Sequence, residues 1–147
     1  MSEHHATISW KRTSASFDYE HYNRAHEWRV DGGVVVPASS APLFKGDPDR
    51  VDPEEAFVAS LSSCHMLTFL AIAARKRFVV DEYVDEAMGV MTKNDKGKFW
   101  VSKVTLKPRI TFGGERKPTA AEIDEMHHSA HENCFIANSV TTSIEMA

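Results

Sequence analysis

The chain has 147 residues, of which 42% are hydrophobic and 26% are charged, and its formal net charge is −4. This length and composition are typical of a globular protein with a substantial core, and we expect a single domain over residues 1–147. The negative charge and the absence of a Lys/Arg cluster argue against a nucleic-acid-binding surface. No continuous apolar segment occupies roughly the first thirty residues, so no secretory signal peptide is predicted.

The N-terminal part is predicted to form β-strands joined by turns. Residues 6–11 alternate between apolar and polar side chains, which predicts a first strand. Residues 28–37 predict two strand segments around an Asp31-Gly-Gly turn. Residues 38–51 contain two prolines and a glycine and are therefore predicted to be a loop.

The first predicted helix covers residues 52–76. Asp52 is a favourable N-cap, Pro53 suits the first helical position, and Glu55 completes an Asp-x-x-Glu capping box. Apolar residues surround this helix, which predicts a central helix that is covered on all sides. The segment 56–74 is long enough to cross a membrane, but its Ser, Thr and His residues favour a buried core helix, so no membrane partner is expected.

The C-terminal part is predicted to contain a hairpin, a second helix and a last strand. Two alternating runs, 88–93 and 99–106, flank a glycine-containing turn. Residues 107–112 extend the second run past a proline, which favours an edge strand or a bulge. A Thr-Ala-Ala-Glu capping box opens a helix over 119–132, and residues 139–146 alternate as a strand. This order predicts an α+β fold with a mostly antiparallel sheet.

Two cysteines, Cys64 and Cys134, are candidates for chemistry. Without a secretory signal they indicate a reducing, cytoplasmic location and free or catalytic thiols. Cys64 lies too far from the helix start to benefit from the dipole, and burial would raise its pKa. It is therefore either a small apolar filler or a nucleophile that needs a cation from elsewhere in the fold. Cys134 would resolve a Cys64 sulfenic acid as a disulfide, unless the two are unrelated buried cysteines.

Glu54 allows two interpretations. It is either a first-turn carboxylate that the helix dipole favours, or a carboxylate that orients a catalytic cation. Ten residues of helix, roughly 15 Å, separate it from Cys64. A shared site therefore requires a break in the helix or a Glu54 from a second chain, and the second option predicts an interlocked dimer.

The histidines offer a third interpretation. His127, His131 and Cys134 have the spacing of zinc ligands on one helical face, although no fourth ligand is indicated. The alternative is a polar surface near a helix end, where His is favourable. His65 follows Cys64 directly and points about 100° away on a helix. It is therefore a poor general base for Cys64, which argues against Cys–His acyl transfer.

The residues around the first helix carry a family resemblance. With Asp52-Pro-Glu-Glu before Ser63-Cys64, and with Cys134 near the end of a later helix, the chain resembles the OsmC/Ohr family. These are osmotically induced and organic hydroperoxide resistance proteins. The resemblance covers essentially the whole chain. Its most specific part is Pro53-Glu54 followed by Cys64 ten residues after the Glu.

The resemblance implies both a fold and an activity. The fold is an OsmC-like α+β fold, built as an intertwined homodimer with the long helices at its centre and two active sites at the interface. The activity is that of a thiol peroxidase acting on organic hydroperoxides. Cys64 matches the peroxidatic cysteine, Cys134 the resolving cysteine, and Glu54 the carboxylate that positions an arginine. Arg24 is the expected arginine. The alternatives are Arg29 and Arg50.

The same resemblance implies an external dithiol reductant, such as a dihydrolipoyl group or a small thiol, and no bound cofactor or metal. A pocket favouring bulky organic hydroperoxides is expected from five apolar side chains that are also core candidates: Phe57, Leu61, Met66, Phe69 and Phe135. Phe135, His65 and the segment 17–24 depart from better-known members and indicate a less characterised branch. The alternative function is a zinc- or small-ligand-binding dimer without peroxidase activity.

Overall fold

The computed structural model describes all 147 residues, which divide into two units at residues 1–56 and 57–147. The first unit contains an antiparallel sheet of β1 (Ala6–Ser9), β2 (His26–Val30) and β3 (Val35–Ala38), in that order. Strands predicted from residues 6–11 and 28–37 are therefore present, with shifted ends.

The turn between β2 and β3 depends on glycine. Gly32 and Gly33 have φ angles of 83° and 84°, in the left-handed region that side chains with a Cβ disfavour. The N–H of Val30 donates to the carbonyl of Val34 across this turn at 3.0 Å. The Asp31-Gly-Gly sequence thus reverses the chain as predicted.

Helix α1 (Pro53–Arg75) is unbroken along its length. Its start is fixed by a reciprocal capping box, in which the Glu55 N–H donates to Asp52 at 2.8 Å and the Asp52 N–H donates to Glu55 at 3.1 Å. Only the first turn of α1 belongs to the first unit, and the remainder belongs to the second.

Only one stripe of α1 is buried in a single chain. The buried side chains recur every fourth residue and are Leu61, His65, Phe69 and Ala73. On the opposite face Leu67 is 61% exposed. The prediction that α1 is covered on all sides is therefore not met within one chain. By length and composition alone the helix would also suffice to cross a membrane, but a single helix of this kind is weak evidence for a membrane span.

The second unit contains two further sheets. Strands β5 (Met88–Lys93) and β6 (Phe99–Leu106) form the predicted antiparallel hairpin, and β8 (Ser143–Met146) pairs parallel with β6. The other sheet pairs β4 (Val79–Asp85) with β7 (Pro108–Gly113) in antiparallel register.

Three details of this unit differ from the sequence prediction. β4 was not predicted, and β7 is a strand of a second sheet rather than an extension of β6. The crossing occurs at Lys107, whose N–H donates to the Asp85 carboxylate at 2.6 Å, immediately before a proline that has no N–H for the ladder. The last strand starts at Ser143, because residues 137–139 form a 3-10 turn instead.

Helix α2 (Ala120–Asn133) begins with the predicted capping box at Thr119. It packs on α1 and on the β4–β7 sheet through one core cluster: Phe69, Ala73, Phe78, Met126 and Ala130. This packing places the C-cap residue of α2, Cys134, against α1. The observed architecture is the predicted α+β fold with two helices and mostly antiparallel sheets.

Candidate active site

Two cysteines that are distant in sequence meet in the second unit. Cys64, in the middle of α1, is partly exposed, whereas Cys134, at the C-cap of α2, is 1% exposed. Both are free thiols, and each influences the pKa of the other, so the two side chains lie near each other. The structure thus brings the two predicted cysteines to one place.

The surroundings of the two thiols assign them different roles. Burial raises the pKa of Cys64, but hydrogen bonds from Cys134 and from the backbone N–H groups of Ile136 and Phe135 outweigh burial and lower it overall. Burial raises the pKa of Cys134, and its bond to Cys64 raises it further. Cys64 is thus the better thiolate, and Cys134 stays protonated beside it.

Thr68 stabilises the Cys64 thiolate less than its position suggests. Its hydroxyl lies within reach of the Cys64 thiol, but it also donates to the Cys64 carbonyl at 2.8 Å. A hydroxyl has one hydrogen to donate, and the carbonyl bond uses it. The backbone N–H groups and the Cys134 thiol therefore contribute more to the lowered Cys64 pKa than Thr68 does.

A cavity of about 790 Å³ gives access to Cys64. Near the thiol the cavity is lined by polar or small side chains. Further along α1 it is lined by Leu67, Ala71 and Ile72, and then by Arg75. Phe135 closes one side, with a side chain that is 83% exposed. The arrangement admits a reactant with an apolar body to the Cys64 sulfur.

Only one of the five predicted pocket residues lines this cavity, and that residue is Phe135. Leu61 and Phe69 are at most 1% exposed and belong to the core. Phe57 lines a different groove, beside Trp100. The pocket prediction is therefore wrong for most of its members, because side chains three or four residues apart on α1 face inwards whereas Cys64 faces outwards.

Arg24 and Glu54 share a second cavity, which lies entirely within the first unit and has a volume of about 490 Å³. Its apolar walls are aromatic and include Trp10, Phe17 and Tyr22. These three rings contact one another at centroid distances of 5.2–6.5 Å. The structure thus brings the predicted arginine and carboxylate to one site.

The Arg24 guanidinium is held by its own loop and not by Glu54. It donates to the carbonyls of Tyr19 and Tyr22 and lies 3.6 Å from the centroid of the Tyr22 ring. Of the two alternatives, Arg50 pairs with Asp47 at 3.8 Å and donates to the His26 carbonyl. Arg29 lies on β2 and does not line this cavity.

The continuity of α1 keeps Glu54 away from Cys64 of the same chain. Ten residues of helix separate the two, which is roughly 15 Å along the axis. The two options for a shared site were a broken helix and a second chain, and the helix does not break. Glu54 and Cys64 of one chain therefore lie too far apart along α1 to share a site.

The histidines form a pair and not a metal site. His65 Nε2 lies 3.0 Å from His127 Nδ1, and the rings stack with a centroid distance of 5.2 Å. Burial lowers the pKa of His65 to about 4, and the charges of the neighbouring His127 and His131 contribute to this shift. No three His, Cys, Asp or Glu side chains, including His127, His131 and Cys134, are grouped so that they hold a metal ion.

Sequence reasoning missed the donors that favour the Cys64 thiolate. It required a cation from elsewhere, whereas the structure supplies backbone N–H groups from the turn after α2 and the Cys134 thiol. Backbone groups occur at every residue, so no side-chain pattern identifies them. The only available signal was the position of Cys134 at the end of a helix, where the chain continues into a turn.

Comparison with known proteins agrees with this architecture. The model of the family described as OsmC-like protein matches residues 46–147. An OsmC-like protein of unknown function from Vibrio cholerae is 51% identical, with a TM-score of 0.97, over 100% of this chain and 99% of that chain. No curated protein matched the chain.

Two more distant structures share the fold. An organic hydroperoxide resistance protein from Elizabethkingia anophelis is 19% identical, with a TM-score of 0.74, over 99% of this chain and 93% of that chain. The organic hydroperoxide resistance protein OhrB of Bacillus subtilis is 18% identical, with a TM-score of 0.68, over 99% of this chain and 98% of that chain. At this identity the likeness is one of fold.

Proposed function

The chain belongs to the OsmC-like protein family, and from that premise we propose that it is a thiol-dependent peroxidase that reduces organic hydroperoxides to alcohols. The observation that carries the proposal is the pairing of a partly exposed Cys64 of lowered pKa with a buried, protonated Cys134. Structural neighbours named as organic hydroperoxide resistance proteins support the substrate class.

The reaction proceeds in two steps at sulfur. The Cys64 thiolate attacks the terminal oxygen of the hydroperoxide, so that an S–O bond forms, the O–O bond breaks, and the alkoxide leaves and takes a proton to become the alcohol. The Cys134 sulfur then attacks the Cys64 sulfenic acid, and its oxygen leaves as water. The peroxide has been reduced by two electrons and the thiol pair oxidised to a disulfide.

An external dithiol completes the cycle by exchange with the disulfide. We propose a small dithiol or a dihydrolipoyl group in this role, in the cytoplasm, where thiols are kept reduced. The partly exposed Cys64 sulfur is the point of attack, because Cys134 is buried. No bound cofactor enters the cycle.

We further propose that the active form is an intertwined homodimer in which Arg24 and Glu54 of one chain serve Cys64 of the other. Within one chain α1 separates Glu54 from Cys64, and one face of α1 is uncovered. A guanidinium positioned by a carboxylate would stabilise the thiolate and contact the incoming peroxide. The bond between Arg24 and Glu54 would form on assembly, replacing the contacts of Arg24 to its own loop.

The first test follows the thiols directly. The reduced protein is treated with one equivalent of an organic hydroperoxide or of hydrogen peroxide, and its mass and peptides are measured over time. We expect a rapid loss of two hydrogen masses that maps to a Cys64–Cys134 link, faster with the organic peroxide. Cys64→Ser should abolish peroxide consumption, and Cys134→Ser should stop after a single turnover with sulfenic acid on Cys64.

Two free thiols after exposure would contradict the proposal. The Cys134→Ser variant is the matched control, because it keeps the nucleophile and removes only the resolving step. If both serine variants consumed peroxide at the wild-type rate, the reaction would not occur at this cysteine pair.

A further inference from the structure

One hydrogen bond joins α1 to α2. His65 Nε2 lies 3.0 Å from His127 Nδ1, and no other hydrogen bond or ion pair connects residues 53–75 with residues 120–133. The rest of the contact is the apolar packing of the core cluster that contains Phe69 and Met126. Apolar packing is non-directional, so it tolerates a rotation or a slide that a hydrogen bond does not. The bond between the two histidines is therefore the contact that most narrowly defines the position of α2 on α1.

The two imidazole rings are held by packing as well as by the bond. His65 is 2% exposed, and its ring stacks on that of His127 with an interplanar angle of 12°. The His127 ring also lies 4.4 Å from the ring of Phe69, centroid to centroid. Phe69 follows His65 by one helical turn, so His127 contacts two successive turns of α1.

The resolving cysteine lies at the end of the same buried part of α2. Met126, Ala130 and Cys134 recur every fourth residue, and each is at most 1% exposed. His127 precedes Cys134 by seven residues, which is two helical turns or roughly 10 Å. Residues seven apart lie on the same face of a helix. A rotation of α2 that breaks the bond therefore also moves Cys134.

On α1 the bond lies next to the nucleophile. His65 follows Cys64 directly in the chain. At the end of α2, Asn133 and Phe135 flank Cys134 and line the cavity that contains Cys64. The end of α2 thus borders the place where a sulfenic acid on Cys64 would form.

The surroundings of the pair favour neutral imidazoles. Burial lowers the pKa of His65 to about 4 and also lowers the pKa of His127, so that near neutral pH one ring donates and the other accepts. The side chains that β6, β7 and β8 contribute to the neighbouring cavity are apolar. The other titratable groups around the pair belong to β4 and α2, and they are Tyr83, Asp85, Asp124, His128 and His131.

We propose that His65 and His127 are positioning residues for the resolving step, because their hydrogen bond keeps α2, and with it Cys134, in place for attack on the Cys64 sulfenic acid. This inference rests on the proposed function. The pair affects the second step of the cycle, in which an S–S bond forms and water leaves. It does not affect the first step, in which Cys64 attacks the peroxide.

Two substitutions of His127 separate the bond from the ring. His127→Phe keeps an aromatic ring beside Phe69 but has no nitrogen to share with His65. His127→Asn loses the ring but can keep the bond, because an amide atom attached to Cγ replaces Nδ1. His128→Phe is the matched control, since His128 is the next residue of α2 and its side chain is 72% exposed.

The experiment measures how oxidised Cys64 partitions between two products. Reduced protein receives one equivalent of an organic hydroperoxide in the presence of dimedone, which alkylates sulfenic acid. Mass spectrometry then compares the Cys64–dimedone adduct with the Cys64–Cys134 disulfide. For His127→Phe we expect the ratio of adduct to disulfide to rise about tenfold or more, because a displacement of about 1 Å can slow a reaction about a hundredfold. The rate at which Cys64 consumes the peroxide should equal that of wild type.

His127→Asn and His128→Phe should partition like wild type. An unchanged ratio in His127→Phe would overturn the proposal, and so would a ratio in His127→Asn as high as in His127→Phe. An equal slowing of both steps would also overturn it, because that indicates a general loss of structure. His65→Leu removes the same bond from the side of α1 and should give the same rise, so the test does not depend on the folding of one variant.

Oxidation by diamide tests the positioning without a peroxide. Diamide accepts two electrons and two protons from a thiol pair, which becomes a disulfide. Wild-type protein that forms the disulfide with diamide but consumes no organic hydroperoxide would refute the proposed peroxidase function. In that case slower formation of the diamide-induced disulfide in His127→Phe than in wild type would still support the positioning role, and equal rates would refute it.

Discussion

At the scale of the residue, the reactivity of Cys64 is a balance between burial and hydrogen bonding. Burial alone raises the pKa of Cys64, and three donors on and around the turn after α2 reverse the sign. Burial, together with the interaction with Cys64, raises the pKa of Cys134, so that Cys134 stays protonated. One sulfur is thereby prepared to attack a peroxide and the other to attack a sulfenic acid.

Arg24 is the residue whose proposed role requires the most change on assembly. In the single chain its guanidinium lies over Tyr22 and donates to loop carbonyls, so a merely structural role for Arg24 is a real alternative. The two roles differ in their effect on Cys64. A structural arginine organises its own loop, whereas an active-site arginine stabilises a thiolate in another part of the assembly.

We expect Arg24→Ala to raise the pKa of Cys64 and to slow its reaction with an organic hydroperoxide at least about tenfold, because hydrogen bonds to charged groups contribute about 1.5–3 kcal/mol. The measurement is the pH profile of Cys64 alkylation, together with the rate of peroxide consumption. Arg29→Ala and Arg50→Ala are the matched controls. An unchanged thiol titration in Arg24→Ala would remove this arginine from the mechanism.

At the scale of the element, the docking of α2 on α1 determines where Cys134 lies. The polar part of this contact is the hydrogen bond between His65 and His127, with His127 also 4.4 Å from the ring of Phe69. Two imidazoles that share one hydrogen bond need at least one unprotonated nitrogen between them, so the contact cannot hold two imidazolium ions. Asp85 and His131 are the other titratable groups that influence His65.

This pair makes the stability of the protein depend on pH. The pKa of His65 is lowered to about 4, mainly by burial, and burial also lowers the pKa of His127. Below about pH 6.5 the unfolded chain therefore binds protons that the folded chain does not, so the free energy of unfolding falls as the pH falls. For His65 alone the loss reaches about 3 kcal/mol near pH 4.

We expect His65→Gln to flatten this dependence, because the amide can keep a hydrogen bond to His127 but does not titrate. The measurement is urea unfolding at several values between about pH 6.5 and about pH 4. His128→Gln, on the exposed surface of α2, is the matched control. Equal pH dependence of the unfolding free energy in wild type and His65→Gln would show that protonation of this pair does not destabilise the fold at low pH.

The elements also show which parts of the fold a sequence can predict. Both helices and the β5–β6 hairpin were predictable, because they depend on local signals. The predicted capping boxes and glycine turn are present in the structure. β4 and the change of sheet at Lys107 were not, because the partner of β7 lies more than twenty residues earlier in the chain. Pairing over such a distance is decided by packing and not by local pattern.

Some residues of the candidate site could likewise be predicted from the sequence, and others could not. Cys64, Cys134 and Glu54 were candidates from the residues themselves, whereas Arg24 came from the family resemblance. The spacing of the two cysteines did not decide whether they act together. Most of the pocket residues on α1 were predicted wrongly, because apolar character does not say which face of α1 is turned inwards. The backbone N–H groups that help to lower the Cys64 pKa occur at every residue, so no side-chain pattern identifies them.

At the scale of the whole molecule, the uncovered face of α1 supports the proposed dimer. A helix that is apolar on every side needs a cover on every side, and a single chain covers only the stripe from Leu61 to Ala73. The exposed face includes Leu67 and lies beside the opening to Cys64. A second copy that packs on this face would bury apolar surface and bring its own Arg24 and Glu54 towards the thiol.

A complementation experiment distinguishes a site made within one chain from a site shared between two. Cys64→Ser and Arg24→Ala chains are each expected to be inactive or nearly so. When they are co-expressed, a mixed dimer holds one site with Cys64 from the Arg24→Ala chain and Arg24 from the Cys64→Ser chain, and this site is intact. With random pairing, half of the dimers are mixed, so about a quarter of wild-type peroxidase activity should return.

The control is co-expression of Cys64→Ser with Cys134→Ser. These two positions lie in the same unit of one chain and contact each other, so a mixed dimer contains no site with both sulfurs and should not regain turnover. Activity in the first mixture but not in the second requires that Arg24 acts on the Cys64 of another chain. No recovery in the first mixture, with mixed dimers demonstrated by mass spectrometry, would mean that Arg24 serves its own chain or serves no thiol, and the interlocked arrangement would have to be abandoned.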